Sequence, residues 1–321
     1  MKNKIIIVGG DPNSINSEII YKSLKKINKS IKKRIYLIIN YDLFLKQLKK
    51  LKYSLKIAKV DNINDYLNDS RLKILDININ SKKIFNIDSK VASKYVLNSL
   101  NYAHSLGNRN DVKGIINCPL DKNLLNQSQI GVTEYLARKN KIKKDSEVML
   151  IFNKKLSVSP ITTHVSLKKV SKKINQRMIR EKIKTIELWF KKQYRRKPKL
   201  AILGLNPHNA EFNKNSEEVK IILPAIESLK KNGNIISGPM PADTIFINDY
   251  KKYDVIIGMF HDQVLAPFKT LFKFDAVNLT LGLNYLRMSP DHGTAKNLIG
   301  KNKADSSSLV KCINYMNSFK K

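Results

Sequence analysis

Apolar residues in this chain gather in short runs separated by stretches with helical spacing. The runs lie at 4–8, 35–39, 72–77, 114–117, 148–152, 200–205, 256–258 and 277–281. Apolar runs this short suit strands. Between them Ile15, Ile19, Ile20, Leu24 and Ile27 share one helical face. Residues 89–105 predict a second helix with Gly107 as its C-cap, and 176–194 a third that stops before Pro198. A closing helix is predicted over 306–319, with serines to cap it. Strand, Gly9-Gly10-Asp11-Pro12 turn and helix open the chain as an α/β domain, in which ligands bind beyond the carboxyl ends of the strands.

Composition adds bounds to that pattern. With 321 residues and 42% hydrophobic content the chain can bury a sizeable core, enough for roughly two domains. It has no apolar run of the roughly 18 residues that span a bilayer, and its start, MKNKIIIVGGDP, turns too early for a signal peptide. A cytoplasmic protein with no membrane partner is expected. Cys118 and Cys312 stand far apart with no second thiol near either, which argues against a disulfide framework and a thiolate metal cluster. The net charge of +34 raises the question of nucleic acid. It is mostly lysine, however, and it is spread over nearly every predicted helix. That suits solvated helix faces better than a charged, aromatic-interleaved reading surface, so no specific nucleic-acid partner is expected.

The candidate chemistry centres on three of the five histidines. His164 in ITTHVSL, His208 in AILGLNPHNAE and His261 in VIIGMFHDQ each end a run of β-type residues and precede a polar loop. Three neutral imidazoles bind zinc and related metals and leave a position open for substrate. The alternative is that each only hydrogen-bonds its loop. Lys269, Asn278 and Arg287 follow the third histidine and suit an anionic group such as phosphate, unless the two cations are surface charges. Asp262 and Asp243 are short carboxylates near the same loops, suited to ordering an imidazole or taking a proton. Asp243 could instead N-cap a helix beginning at Thr244. The loop GGDPNSIN is not the GxGxxG dinucleotide fingerprint.

In order and spacing, the blocks TTH, GLNPH, GPxPADT, HDQxLxPxK, VNxTLGLxxxR and DHGTA resemble those of the 4-hydroxythreonine-4-phosphate dehydrogenase family of the pyridoxal phosphate pathway. The resemblance implies an isocitrate/isopropylmalate dehydrogenase-like fold: two α/β/α domains with an interdomain cleft, the first formed by 1–118 plus 290–321 and the second by 119–289. It implies a homodimer whose active site draws on both subunits, with His164 and His208 from one and His261 from the other binding Zn, Mg or Co. Thr133, Lys269, Asn278 and Arg287 fall on the family's substrate and phosphate contacts, and Asp243 and Lys122 on motif positions with catalytic roles. Residues 291–305 resemble the loop by which this fold holds NAD or NADP, with His292, Gly293, Thr294, Ala295 and Asp305 as contacts. The implied reaction oxidises a secondary alcohol and decarboxylates the resulting β-keto acid.

Three stretches depart from the family pattern. Gly131-Val132-Thr133-Glu134 stands where the family has Gly-His-Thr-Glu, after a loop that reads as shortened. The N-terminal loop has lost glycines that would let a cofactor approach closely. The TGPxxK block is Asn117-Cys118-Pro119-Leu120-Asp121-Lys122, in which Lys122 has either a chemical or a surface role. Val132 cannot hydrogen-bond, which keeps open a sibling dehydrogenase of erythronate or threonate 4-phosphate. A metal-dependent hydrolase and a basic nucleic-acid-binding protein are the readings from other classes.

Overall fold

The computed structural model describes residues 3–65, 71–125, 131–273 and 275–320. The shortened loop before Gly131 lies largely outside those residues. Two compact units are formed, Met1–Lys139 with Asn284–Phe319, and Asn140–Leu283. The expected junctions at 118 and 290 both fall inside the first unit, because the segments beyond them pack there. Helix α5 (Val132–Lys139) is tied by Tyr135 Oη to Asn101 Oδ1 at 2.7 Å, and strand β12 (Leu286–Pro290) pairs with β5 (Val112–Asn117).

In the first unit, β1 (Lys4–Val8), β2 (Ile35–Ile39), β3 (Ile57–Val60), β4 (Leu72–Asp76), β5 and β12 form parallel ladders in the order β3-β4-β2-β1-β5-β12. All five residues of β1 and of β2 are buried, as unbroken apolar runs require. Helices α1 (Asn16–Lys26), α2 (Lys29–Lys32), α3 (Tyr41–Lys50), α4 (Ser89–Gly107), α5 and α10 (Ser307–Ser318) cover the sheet. Adjacent residues of β5 assign α4 and α10 to opposite faces: Ile115 reaches Gly107 of α4, whereas a Cβ on Gly114 would meet Met316 of α10. Gly107 is thus the last residue of α4 and not its cap. The cap is Asn108, in the right-handed region, and the glycine is needed because a Cβ there would lie 2.7 Å from Ile115 and 2.9 Å from Tyr285. The strand order reverses between β1 and β5, so this unit's ligand crevice lies beyond their carboxyl ends.

In the second unit, β6 (Val148–Phe152), β7 (Ser157–Thr162), β8 (Lys199–Leu203), β9 (Ile235–Met240), β10 (Val255–Phe260) and β11 (Val277–Leu281) run in the order β11-β6-β7-β10-β8-β9. The strands β7, β10, β8 and β9 are parallel, and β6 is antiparallel to both β7 and β11. Helices α6 (Val170–Lys173), α7 (Gln176–Tyr194), α8 (Leu223–Lys231) and α9 (His261–Phe272) complete it. The core packs Val264, Leu265 and Phe268 of α9 onto Val158, Ala201, Leu203 and Ile256. Each such side chain contributes about 1.5–3 kcal/mol relative to exposure. Among the described residues no helix is long and apolar enough to cross a membrane.

Candidate active site

The strands β7, β10 and β8 are neighbours and parallel, so Thr162, Phe260 and Leu203 end at one sheet edge. His164, His261 and His208 follow them in turn. The rings of His164 and His261 lie 6.1 Å apart, centroid to centroid, within one chain. His261 Nδ1 is 2.6 Å from Asp262 Oδ1, which orients the imidazole and leaves Nε2 outward. His261 follows the end of β10 as expected, but it is the first residue of α9, with Phe260 as N-cap, so a helix stands where the sequence suggested a polar loop. Among the described residues, no three histidine, cysteine or acidic side chains are grouped to hold a metal. Within one chain the ring contact is that of His164 with His261.

The His208 loop is held from behind. Glu218, fully buried, accepts from the N–H of Leu205 at 2.7 Å and of Asn206 at 2.8 Å, and from Asn206 Nδ2 at 3.0 Å. Burial pushes this carboxyl up, but these donors prevail and hold it below the usual range. From His208 to Phe212 five consecutive residues have φ between 45° and 58°. Non-glycine residues pay roughly 1–2 kcal/mol each for that region, so the turn stores strain at the candidate site. His208 is exposed there.

Asp243 is also exposed, in a run of turns after β9 on the same edge. No α-helix begins at Thr244, which removes the capping alternative: the chain closes with Ile247 N–H on Thr244 O at 3.0 Å and sends the adjacent Ile245 and Phe246 into the core. Lys269 is half-buried in α9, eight residues or about 12 Å along the helix from His261. Asn278 is in register, through Ile151, with Val158 of β7 and Ile256 of β10. That is four residues, about 13 Å, from the histidine edge of the same chain. Its Oδ1 is buried and has no hydrogen-bond partner among the described residues.

In the first unit, Arg287 of β12 is buried and donates through Nε to Asn117 Oδ1 at 2.7 Å and through Nη1 to Thr133 Oγ1 at 3.3 Å. Burial pushes its pKa down to about 10, so the guanidinium is still charged at neutral pH. Thr133 is buried in the first turn of α5, and Glu134 reaches back to the Gly131 N–H at 3.1 Å, which accounts for the glutamate of the motif. Val132 is half-buried. Lys122 is exposed at the start of a 3₁₀ turn, Lys122–Leu125.

The loops after β1, β5 and β12 meet at the switch point. Ile15 N–H donates to Thr294 O at 3.2 Å, Asn16 Nδ2 to Gly9 O and Pro119 O, and Lys296 Nζ to Asp121 Oδ2 at 3.0 Å. Polar residues fasten the first loop: Asn13 exchanges two hydrogen bonds with Ile87, outside the loop, and Ser14, where the family has glycine, donates to Asp11 O within it. Beside it, His292 Nε2 is buried without a partner among the described residues, and a Cβ on Gly293 would meet nothing. Ala295 adopts a left-handed conformation before a short 3₁₀ turn. Asp305 caps α10, accepting from the Ser307 N–H at 2.9 Å and hydroxyl at 2.6 Å, which hold its carboxyl low. Ser306 does not provide the expected serine cap.

A parallel-sheet α/β enzyme for a small polar ligand is the class that this fold and these strand-end residues define. Comparison with known proteins narrows it: the chain belongs to the family described as pyridoxal phosphate biosynthetic protein PdxA, whose model matches residues 15–316. It is 37% identical over 316 residues to 4-hydroxythreonine-4-phosphate dehydrogenase of Sulfurihydrogenibium sp. (strain YO3AOP1), covering 97% of this chain and 96% of that one. It is 33% identical over 213 residues to D-threonate 4-phosphate dehydrogenase of Pectobacterium atrosepticum, 65% of each chain. The crystal structure of 4-hydroxythreonine-4-phosphate dehydrogenase from Klebsiella pneumoniae superposes with a TM-score of 0.85 at 27% identity, covering 98% of each chain. The expected dehydrogenase fold is the one adopted, and the chain is an oxidoreductase by family.

Proposed function

We propose that the protein oxidises and decarboxylates 4-phosphooxy-L-threonine to 3-amino-2-oxopropyl phosphate in pyridoxal 5'-phosphate biosynthesis, using NAD or NADP and a divalent metal, as a homodimer. The observation that carries this reading is the arrival of His164, His208 and His261 at the carboxyl ends of three adjacent parallel strands. Two imidazoles that share one ion at about 2.0–2.1 Å bring their centroids roughly 5–6 Å apart. The 6.1 Å between His164 and His261, with Asp262 behind His261, is just above that span, so a small approach of the two rings lets them share an ion, and His208 is the third donor. When bound, the metal, whether Zn, Mg or Co, polarises the substrate hydroxyl and the carbonyl that replaces it, while the nicotinamide accepts the hydride.

The remaining roles fall to the chain's own groups. Arg287 and Lys269 hold the phosphate, with Thr133 and Asn278 as uncharged partners. Asp243 takes the alcohol proton, and Lys122 is the cation assigned to the substrate carboxylate. His292, Gly293, Thr294 and Ala295 form the cofactor loop, whose unpartnered His292 Nε2 fits a polar ligand. Asp305 contributes by fixing the end of that loop. Support for a second subunit comes from the loops that carry the histidines. Leu167 and Phe212 are 66% and 51% exposed there, and Ile247, in the turns that carry Asp243, is 67% exposed, the kind of surface that a partner covers.

Oxidation of a sibling substrate is kept as a second reading by Val132 and by the D-threonate 4-phosphate dehydrogenase relative. Steady-state NADH formation from 4-phosphooxy-L-threonine, D-threonate 4-phosphate and erythronate 4-phosphate, each with divalent metal, decides between them. The proposal expects kcat/KM to be highest for phosphothreonine. Turnover of only an acid phosphate assigns the sibling reaction, and turnover of none refutes both.

A further inference from the structure

Gln263 is a ligand in no reading of the site, yet its carboxamide joins the loops that carry the histidines. Its Oε1 accepts from the Met259 N–H at 2.6 Å, and its Nε2 donates to Gly204 O at 2.7 Å. Met259 stands two residues before His261. Its carbonyl accepts from Thr162 Oγ1 at 2.7 Å, two residues before His164. From Gly204 the chain passes through Leu205 and Asn206, whose N–H groups Glu218 holds, to Pro207 and His208. Thr162, Met259, Gln263 and Gly204 therefore form one continuous clamp across the ends of β7, β10 and β8, with each histidine two to four residues beyond it.

The surroundings are shaped to that side chain. A Cβ on Gly258 would lie 2.8 Å from Gln263 Oε1 and 2.6 Å from Val264, and one on Gly204 would strike Asn209 Oδ1. Glutamine alone places an acceptor and a donor at this reach. Glutamate would face the Gly204 carbonyl with an oxygen, and methionine would leave both backbone groups unpaired. We propose that Gln263 is a positioning residue that sets the spacing of the His208 and His261 loops and thereby the affinity of the site for a divalent metal. This rests on the metal-binding reading above.

Cobalt(II) titration of the full-length protein, followed by its d–d absorption, separates this role from simple stabilisation. Gln263→Met and Gln263→Glu are compared with wild type and with Thr185→Val, which removes a 2.8 Å hydrogen bond to Ser146 O elsewhere in the unit. Both Gln263 variants are expected to weaken cobalt binding about 10- to 100-fold, the range for groups that orient metal ligands, and to shift the d–d band. Thr185→Val is expected to change neither. Should Gln263→Met fail to fold, Gln263→Glu, which keeps the acceptor for Met259, gives the same reading. Cobalt affinity and band position in the Gln263 variants no different from Thr185→Val would overturn the proposal. Absence of cobalt uptake by wild type would overturn the metal reading and this inference with it.

Discussion

Arg287 shows how much one residue can decide. Its guanidinium is buried, still charged, and held by two side chains from different elements, Asn117 at the end of β5 and Thr133 on α5. A lysine has one nitrogen where the arginine has a planar fork, so it cannot meet both. Arg287→Lys is expected to raise KM for the phosphorylated substrate at least tenfold, with a smaller change in kcat, in steady-state assays. An unchanged KM would remove Arg287 from phosphate binding. Which residues could be read from sequence follows from their chemistry. Histidine at a strand end is rare and marks itself, and so do Thr133 and Arg287 once their motifs are noticed. Asn117 and Gln263 are amides, which announce no chemistry, and only the hydrogen bonds across elements show what they hold.

At the scale of elements, strands were legible where apolar residues stand together, as in β1, β2 and β6, or alternate with short polar ones, as in β11. Strands β3, β9 and β12 were not, because one is short and half exposed, one contains Gly-Pro, and one carries a buried arginine. The left-handed turn at His208 was hidden for a related reason: Pro207-His208-Asn209-Ala210-Glu211-Phe212 contains no glycine to signal positive φ. Replacing Ala210 with glycine should relieve strain and stabilise the protein by about 0.5–1 kcal/mol in urea unfolding; destabilisation would mean that the turn is not left-handed. A second test concerns the start of the first sheet. Asp111 bonds Arg109 and the buried Lys4 Nζ, and these two cations, Arg109 foremost, hold its carboxyl well below the usual range. A carboxyl with a depressed folded pKa contributes stability that is complete above its unfolded pKa of about 3.9 and is lost as pH falls through the lower folded value. Asp111→Asn is expected to cost about 1–3 kcal/mol at pH 7, where Lys4 is left without its anion, and progressively less below pH 4. An equal cost at pH 7 and pH 3 would contradict the pairing.

For the whole molecule, composition and function pull in different directions. A net charge of +34 on an oxidoreductase predicts weak, sequence-independent association with DNA that disappears between about 50 and 200 mM salt. Fluorescence anisotropy with duplexes of unrelated sequence checks this, and binding that is specific or salt-resistant would restore the nucleic-acid reading. Fold class was legible because alternating strands and helices leave few architectures. Whether a second subunit shares the histidines was not legible, since spacing along one chain says nothing about a second. The account stands most directly on the metal. Chelator-treated protein, refilled with increasing Zn, Mg or Co and assayed for NADH formation from 4-phosphooxy-L-threonine, should regain activity in proportion to metal bound. His164→Ala, His208→Ala and His261→Ala should each lose both metal and turnover. Turnover at the wild-type rate by the chelated protein, or by any of the three variants, would contradict the account.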